Sequence, residues 1–286
     1  MENERIDLRR ERDFGEVFNS SLTFLRQEIR SFGKGILVLV LPAMVLLTLF
    51  SSYQSTTQIM YDPFLKNIII VFLAILTQTI IYVTIYAYFN LYFLNNKSIT
   101  IKELFIEFRY NFFRIFWALI IIIVIIALSV GICIAVFSNS APIIGVIFAI
   151  IAAIYFLVSF SMMPSIMVFE DRGVGYAFSR SFKLTHMKWW NTFLILLVGG
   201  IIVFVIAVII QSPLYILLAS ARLHNNFDLF NNFNGFIIVY SSIASSIIKI
   251  FYIIPAFLAA FQYFSLVEAR EKPSLIARID EIGENE

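Results

Sequence analysis

Six apolar runs dominate the chain, at about residues 35–52, 68–94, 115–138, 142–168, 192–219 and 236–267. Crossing a hydrocarbon core about 30 Å thick takes about 20 helical residues, and most of these runs are that long. Lipid offers no partner to a backbone N–H or C=O, so a run placed there must satisfy its own hydrogen bonds, as a helix does. Composition agrees: the chain is 60% hydrophobic and 14% charged, with mean hydropathy +0.88. A soluble domain carries about 45–50% apolar and about 25% charged residues. The expected fold class is all-α, a polytopic membrane protein of six transmembrane helices with amphipathic interfacial helices on the cytoplasmic side.

Charge sets the expected orientation. Of the 21 lysines and arginines, 18 fall in the N-terminal arm, the second and fourth connections and the C-terminal tail, leaving Lys66, Arg222 and Lys249 for the other side. Positive charge stays on the cytoplasmic side, so both termini are expected there, in the cytoplasmic (inner) membrane of a bacterium. The expected division is a cytoplasmic arm over 1–34, a membrane domain over 35–267 with interfacial helices at about 100–114 and 173–189, and a charged cytoplasmic tail over 268–286. No apolar h-region follows a short basic start, so the first span is expected to stay uncleaved. Within the arm, Phe14, Val17, Phe18, Leu22, Leu25, Ile29 and Phe32 recur at helical spacing, which predicts an amphipathic helix resting on the inner leaflet or on the bundle.

The most distinctive stretch is PSIMVFEDRGVGYAFSRSFKLTHMKWWNTF, residues 164–193. At 100° per residue, Val174, Phe178, Phe182, Thr185 and Trp189 share one face and Arg180 and Lys183 lie opposite. Such a helix lies at the headgroup level, aromatics in the acyl boundary and cations toward anionic phosphates. The same cations also serve simply as a positive-inside signal. The lipid- or partner-binding residues expected here are Phe178, Arg180, Phe182, Lys183, Lys188, Trp189 and Trp190, with Gly173 and Gly175 providing the turn out of the fourth span.

Elsewhere, Thr100 and Glu103 form a T-x-x-E capping box, with Ile99 and Leu104 placed for a hydrophobic staple. The segments starting FGEVF, IKELF and VGYAF read as one unit used three times, an interfacial helix followed by an apolar hairpin. Pro42, Pro164, Pro213 and Pro255 lie in or near span ends; they predict kinks whose freed carbonyls are taken up by neighbours. Lys249 lies about 28 Å along a helix from Glu268 and so near the opposite surface, with 236–248 as an outer extension of the sixth span. Gln78, Tyr82 and Tyr86 stack on one face of the second span, either as interhelical glue or as the lining of a site. One cysteine, Cys133, excludes an internal disulfide, and His186 and His224 fall on opposite sides. No Cys/His spacing suggests zinc, and no nucleophile-and-base or P-loop pattern occurs. No enzyme activity, metal or cofactor is expected. A formal charge of +2, with the basic residues clustered beside the apolar runs and not in one patch, argues against nucleic acid.

The 164–193 stretch resembles a loop of a broad set of six-helix bacterial integral membrane proteins, related to the membrane domain that accompanies some glycerophosphodiester phosphodiesterases. The positions that carry the resemblance are Pro164, Glu170, Gly173, Ala177, Arg180 and Ser181, with Tyr263, Leu266 and Arg270 near the C-terminus. No catalytic domain follows Arg270, so the phosphodiesterase activity is not carried over. The function expected is a non-catalytic membrane module that binds anionic lipid, or a membrane or cytoplasmic protein partner, through its basic amphipathic helices. The alternative is a small-molecule or lipid transporter using the bundle centre.

Overall fold

Helix starts are written locally. Asp13 accepts the Glu16 N–H at 2.7 Å while the Glu16 carboxylate accepts the Asp13 N–H at 3.3 Å, a capping box that opens α1 (Phe14–Gly35). Thr100 and Glu103 make the same reciprocal pair at 3.3 and 3.0 Å and open α4 (Ile101–Phe137). The computed structural model describes residues 6–8, 10–57, 63–94, 99–138, 141–223, 228–273 and 275, with only the backbone given for 51–57, 63, 66, 221–223 and 228–234. Of the residues that entered the sequence argument, Arg5, Arg9, Lys97, His224 and Arg278 lie outside the described residues.

The remaining helices are α2 (Leu41–Thr57), α3 (Pro63–Leu94), α5 (Pro142–Phe160), α6 (Met163–Phe169), α7 (Val174–Met187), α8 (Trp189–Leu223), α9 (Asp228–Ile250) and α10 (Ile253–Glu271). Every regular element among the described residues is helical. Six helical stretches are long and apolar enough to cross a membrane: Phe14–Phe50, Asn67–Leu94, Ile101–Phe137, Pro142–Phe169, Trp189–Ser220 and Gly235–Glu271. The chain is a multi-pass membrane protein of the expected all-α class.

The three segments starting FGEVF, IKELF and VGYAF meet their spans in three ways. The first joins through a π-helical turn at Ile36–Val40. Pro42 has no N–H and crowds the carbonyl four residues back, and the wider turn, in which the Leu41 N–H bonds to the Ile36 carbonyl, absorbs the disturbance. The second has no joint: 101–114 is not a separate interfacial helix but the first turns of the unbroken α4, which has no proline in its sequence to stop it. Only the third makes a corner, at Lys188, where the backbone leaves helical geometry between α7 and α8.

The core centres on α10, buried along most of its length from Ile253 to Glu268. Phe24 of α1 stacks on Phe89 of α3 at 4.7 Å and meets Phe257 and Phe261 at 5.6 and 5.7 Å. The N-terminal amphipathic helix therefore rests on the bundle, with Val17, Ser21, Phe24 and Phe32 buried. Arg12 secures its start. Its guanidinium is buried over the Phe261 ring and donates to the Leu8 carbonyl at 3.1 Å and to Ser20 Oγ at 3.2 Å. Its backbone exchanges two 3.0 Å bonds with Ser265 Oγ of α10. Burial lowers the Arg12 pKa, but a guanidinium starts so high that it stays charged.

The fourth and sixth spans are not straight rods. The fourth breaks at Ser161–Met162, just before Pro164, and the sixth at Phe251–Tyr252, just before Pro255. Lys249 is half-buried in the last turn of α9, so the segment expected as an outer extension is a helix of its own, packed on α2 and α8. At the break α8 crosses α10 closely. A Cβ on Gly199 would lie 2.9 Å from Leu258 Cδ1 and 3.2 Å from the Pro255 backbone, whereas one on Gly200 would meet nothing within 4 Å. Gly199→Ala is expected to cost ~1–3 kcal/mol by overpacking, and Gly200→Ala to stay within ~0.5 kcal/mol of the parent. Unfolding midpoints of the two variants in detergent check this pair.

Candidate functional site

The α6–α7 connection is turned by Asp171, whose φ of 48° lies in the left-handed region; aspartate is among the few residues that tolerate it. Gly173, expected to supply the turn, instead caps α7 in extended geometry, and Gly175 lies within the helix. Asp171 is held by Arg114 at 2.6 Å and by the Tyr110 hydroxyl at 3.0 Å, both from α4. The hydrogen bond from Arg114, then that from Tyr110, keeps the Asp171 carboxyl below the usual range. Arg114 also donates to the carbonyls of Met167 and Arg172 at 3.1 and 2.8 Å, so one side chain closes the loop on three sides.

From this turn α7 folds back along α5 and α6. Its buried stripe is Ala177, Ser181, Leu184 and Thr185, rotated away from the face expected to enter lipid. Small residues explain the rotation: Ala177 and Ser181, both fully buried, let α7 lie close enough for Ser181 Oγ to donate to the Ser159 carbonyl at 2.6 Å. That carbonyl ends α5, where intrahelical donors run out. Phe178 and Phe182 then flank Phe160 of α5 at 4.9 and 5.2 Å. The two phenylalanines are half-buried against protein.

Arg180 is committed too. It pairs with Glu170 at 3.2 Å and Glu271 at 2.5 Å, and the Tyr263 hydroxyl donates to the same Glu170 oxygen at 2.9 Å. The bond to Glu271 raises the Arg180 pKa more than partial burial lowers it, and the charge of Glu170 adds to the rise. Four of the resemblance positions, Glu170, Arg180, Ser181 and Tyr263, thus form one fastening of α7 onto α5, α6 and α10.

Beyond that fastening the other expected residues gather at the α7–α8 corner. Lys188 reaches Glu11 at 2.8 Å across a solvent-exposed pair; this bond and the lysine charge hold the Glu11 carboxyl below its usual range. Trp189 is half-buried and stacks near Tyr155 of α5 at 6.1 Å and Phe193 at 5.5 Å. Trp190 and Lys183 are exposed. Between α5, α7 and the start of α8 lies a cavity of about 540 Å³ bounded by Tyr155, Phe182, His186, Lys188, Trp189, Trp190 and Asn191. The structure therefore brings Phe182, Lys188, Trp189 and Trp190 to one groove, and sets Phe178 and Arg180 behind it as supports. Tyr155, His186 and Asn191 were not among the expected residues. His186 and Asn191 are sequence neighbours of Lys188 and Trp190, a proximity that could have flagged them; Tyr155 sits on another span, and nothing in its local sequence points here.

The fastening makes a measurable claim. Ser181→Ala leaves a buried carbonyl short of a donor and is expected to cost ~1–3 kcal/mol. Ser181→Thr keeps the hydroxyl and serves as the control for its chemistry. Amide hydrogen exchange along 174–187 should rise in the alanine variant while that of α1 is unchanged.

Comparison with curated proteins and with solved structures gives no match. A family profile matches residues 101–266, from the first residue of α4 to Leu266 in α10, and so takes in the fastening and the groove together. The chain belongs to the family described as Domain of unknown function (DUF7847).

Proposed function

We propose that the protein is a non-catalytic integral membrane module that binds anionic lipid at the α7–α8 corner. The observation that carries this reading is the groove itself: its lining combines the rings of Tyr155, Phe182, Trp189 and Trp190 with Lys188, His186 and Asn191, at the point where a charged connection meets a span. Aromatic and cationic side chains concentrate where hydrocarbon gives way to headgroups. An exposed pair such as Lys188–Glu11 is worth little, so a phosphate exchanges for Glu11 at small cost. Lys183, exposed one turn earlier, adds a second cation. Arg180, neutralised by two carboxylates, positions α7 without meeting the ligand.

The cation distribution supports placing the groove on the cytoplasmic side of a bacterial inner membrane. The short pattern of Pro164, Glu170, Arg180 and Ser181 supports kinship with the membrane domains of glycerophosphodiester phosphodiesterases. Transport through the bundle centre is the competing reading. Against it stand the interlocked rings of Phe24, Phe89, Phe257 and Phe261, which pack α1, α3 and α10 together.

A Lys183→Glu, Lys188→Glu double variant tests the groove. Each cation near an anionic surface contributes about 1 kcal/mol, so retention of phosphatidylglycerol or cardiolipin on the purified protein should fall by at least about tenfold, as read by native mass spectrometry. A cysteine at exposed Ser179, labelled from either side, checks that the orientation is unchanged. Equal lipid retention by a correctly oriented variant would overturn the proposal; loss of a co-purifying protein in place of lipid would favour a protein partner.

A further inference from the structure

A second cavity, of about 350 Å³, lies deeper, between the two proline breaks. Pro164 and Pro255 both line it, together with Tyr82 and Tyr86 of α3, Leu196 and Gly200 of α8 and Tyr252 at the α9–α10 break. It falls within the range of small-molecule sites, about 300–1,000 Å³. It is separate from the corner groove: Phe160, fully buried, lies against Phe178 and Phe182 on one side and lines this cavity on the other.

Three observations restrict what it can hold. None of its lining residues is charged, so a charged occupant has no counter-ion, and an unpaired charge at this depth is costly. Its walls still carry phenols. Tyr86 is 2% exposed; Tyr82 is in hydrogen-bonding contact with Gln78 and Tyr86 with Ser165. A phenol has one O–H to donate and an oxygen that accepts, so one whose oxygen accepts from its neighbour keeps its O–H for an occupant. Finally, the wall reaches the protein surface at Leu157, 55% exposed, and at Gly200, whose missing side chain leaves open space. Gly200 is 11 residues into α8, about 16 Å from its start and so near the middle of a core about 30 Å thick. Only hydrocarbon and the uncharged groups dissolved in it reach an opening there.

We propose that this cavity binds a neutral lipid bearing an ester or ketone carbonyl, which enters from the bilayer between α5 and α8, packs its chain against Leu196 and Ala256 and accepts a hydrogen bond from Tyr82 or Tyr86. The proline breaks create the space, because each interrupts a helix where a continuous one would carry side chains into the seam. The site does not depend on the corner groove: it takes no anionic headgroup, and its occupant needs no lysine.

The probe is a diacylglycerol carrying a diazirine in one acyl chain, incorporated at low mole fraction into nanodiscs holding the full-length protein. After irradiation, adducts are expected on peptides containing Leu157 and Leu196, above those on exposed Phe204 of the same helix α8. Gly200→Phe, which projects a ring into the opening, should lower the cavity adducts at least about fivefold while leaving Phe204 labelling unchanged, the loss expected when an occupant must be accommodated against an overpacking penalty of ordinary size. Leu157→Trp obstructs the opening from the opposite wall and stands in should the glycine variant misfold. A Tyr82→Phe, Tyr86→Phe double variant should lose diacylglycerol adducts and keep those of a diazirine alkane lacking a carbonyl. Adducts spread evenly over exposed span residues, or cavity adducts indifferent to both blocking variants, would overturn the proposal. Equal loss of both probes in the tyrosine variant would also overturn the carbonyl assignment. The Lys183→Glu, Lys188→Glu variant should label like the parent, so failure of the corner groove and failure of this cavity are separately visible.

Discussion

A proline inside a membrane span leaves a carbonyl that lipid cannot satisfy, and the architecture here follows from how each such carbonyl is answered. At Pro42 the helix widens into a π turn. At Pro213 the helix continues, and Ser212 Oγ donates to the Ile209 carbonyl at 2.8 Å, the acceptor the proline deprived. At Pro255 the chain breaks, and the Ile254 N–H turns back to the Phe251 carbonyl at 3.0 Å. At Pro164 the helix breaks, and the carbonyls that end α5 are covered from two sides: Ser161 Oγ, within the span, donates to the Val158 carbonyl at 2.7 Å, and Ser181 of α7, outside it, donates to that of Ser159 at 2.6 Å.

This last answer ties the interfacial helix to the bundle. A hydroxyl that reaches a backbone carbonyl demands close approach, and close approach demands small residues on the contacting face. Ala177 and Ser181 meet that demand, and the large aromatics Phe178 and Phe182 are left to pack along the flanks. Glu170, itself held by the Tyr263 hydroxyl, and Glu271 then pair with the Arg180 guanidinium, so the cation that looked most available for a phosphate is already engaged. What α7 offers to a ligand is its end: Lys183, the Lys188 corner and the two tryptophans behind it.

Two kinds of cavity result from one seam. Where α5 and α8 approach the charged connections, the lining is aromatic and cationic; farther along α8 it is apolar with phenols. Gly199 and Gly200 mark the change, the first bringing α8 against Pro255 and the second leaving space open toward α5. A bilayer lipid presents its own polarity in the same order, headgroup at the boundary and chain within.

The sequence by itself determined the class, the number of spans and their approximate limits, because hydrocarbon imposes length and apolarity on every crossing residue by residue. It also determined the Thr100–Glu103 helix start, a purely local bond pattern; the Asp13–Glu16 start was written as plainly in D-x-x-E. Three matters were decided only in three dimensions. The helical wheel orders residues around one axis but does not say which neighbour that axis lies against, so the buried stripe of α7 fell at Ala177 and Ser181 and not at Phe178 and Phe182. Charge counting registered Arg180 as a cation and could not register that Glu271, 91 residues away, would neutralise it. Tyr82 and Tyr86 were visible as a stacked pair, but a cavity is a relation among six helices, and its emptiness depends on Gly200 and on breaks in two other spans. Local hydrogen bonding and solvent transfer are readable along a chain; pairing and unfilled space belong to the assembled bundle.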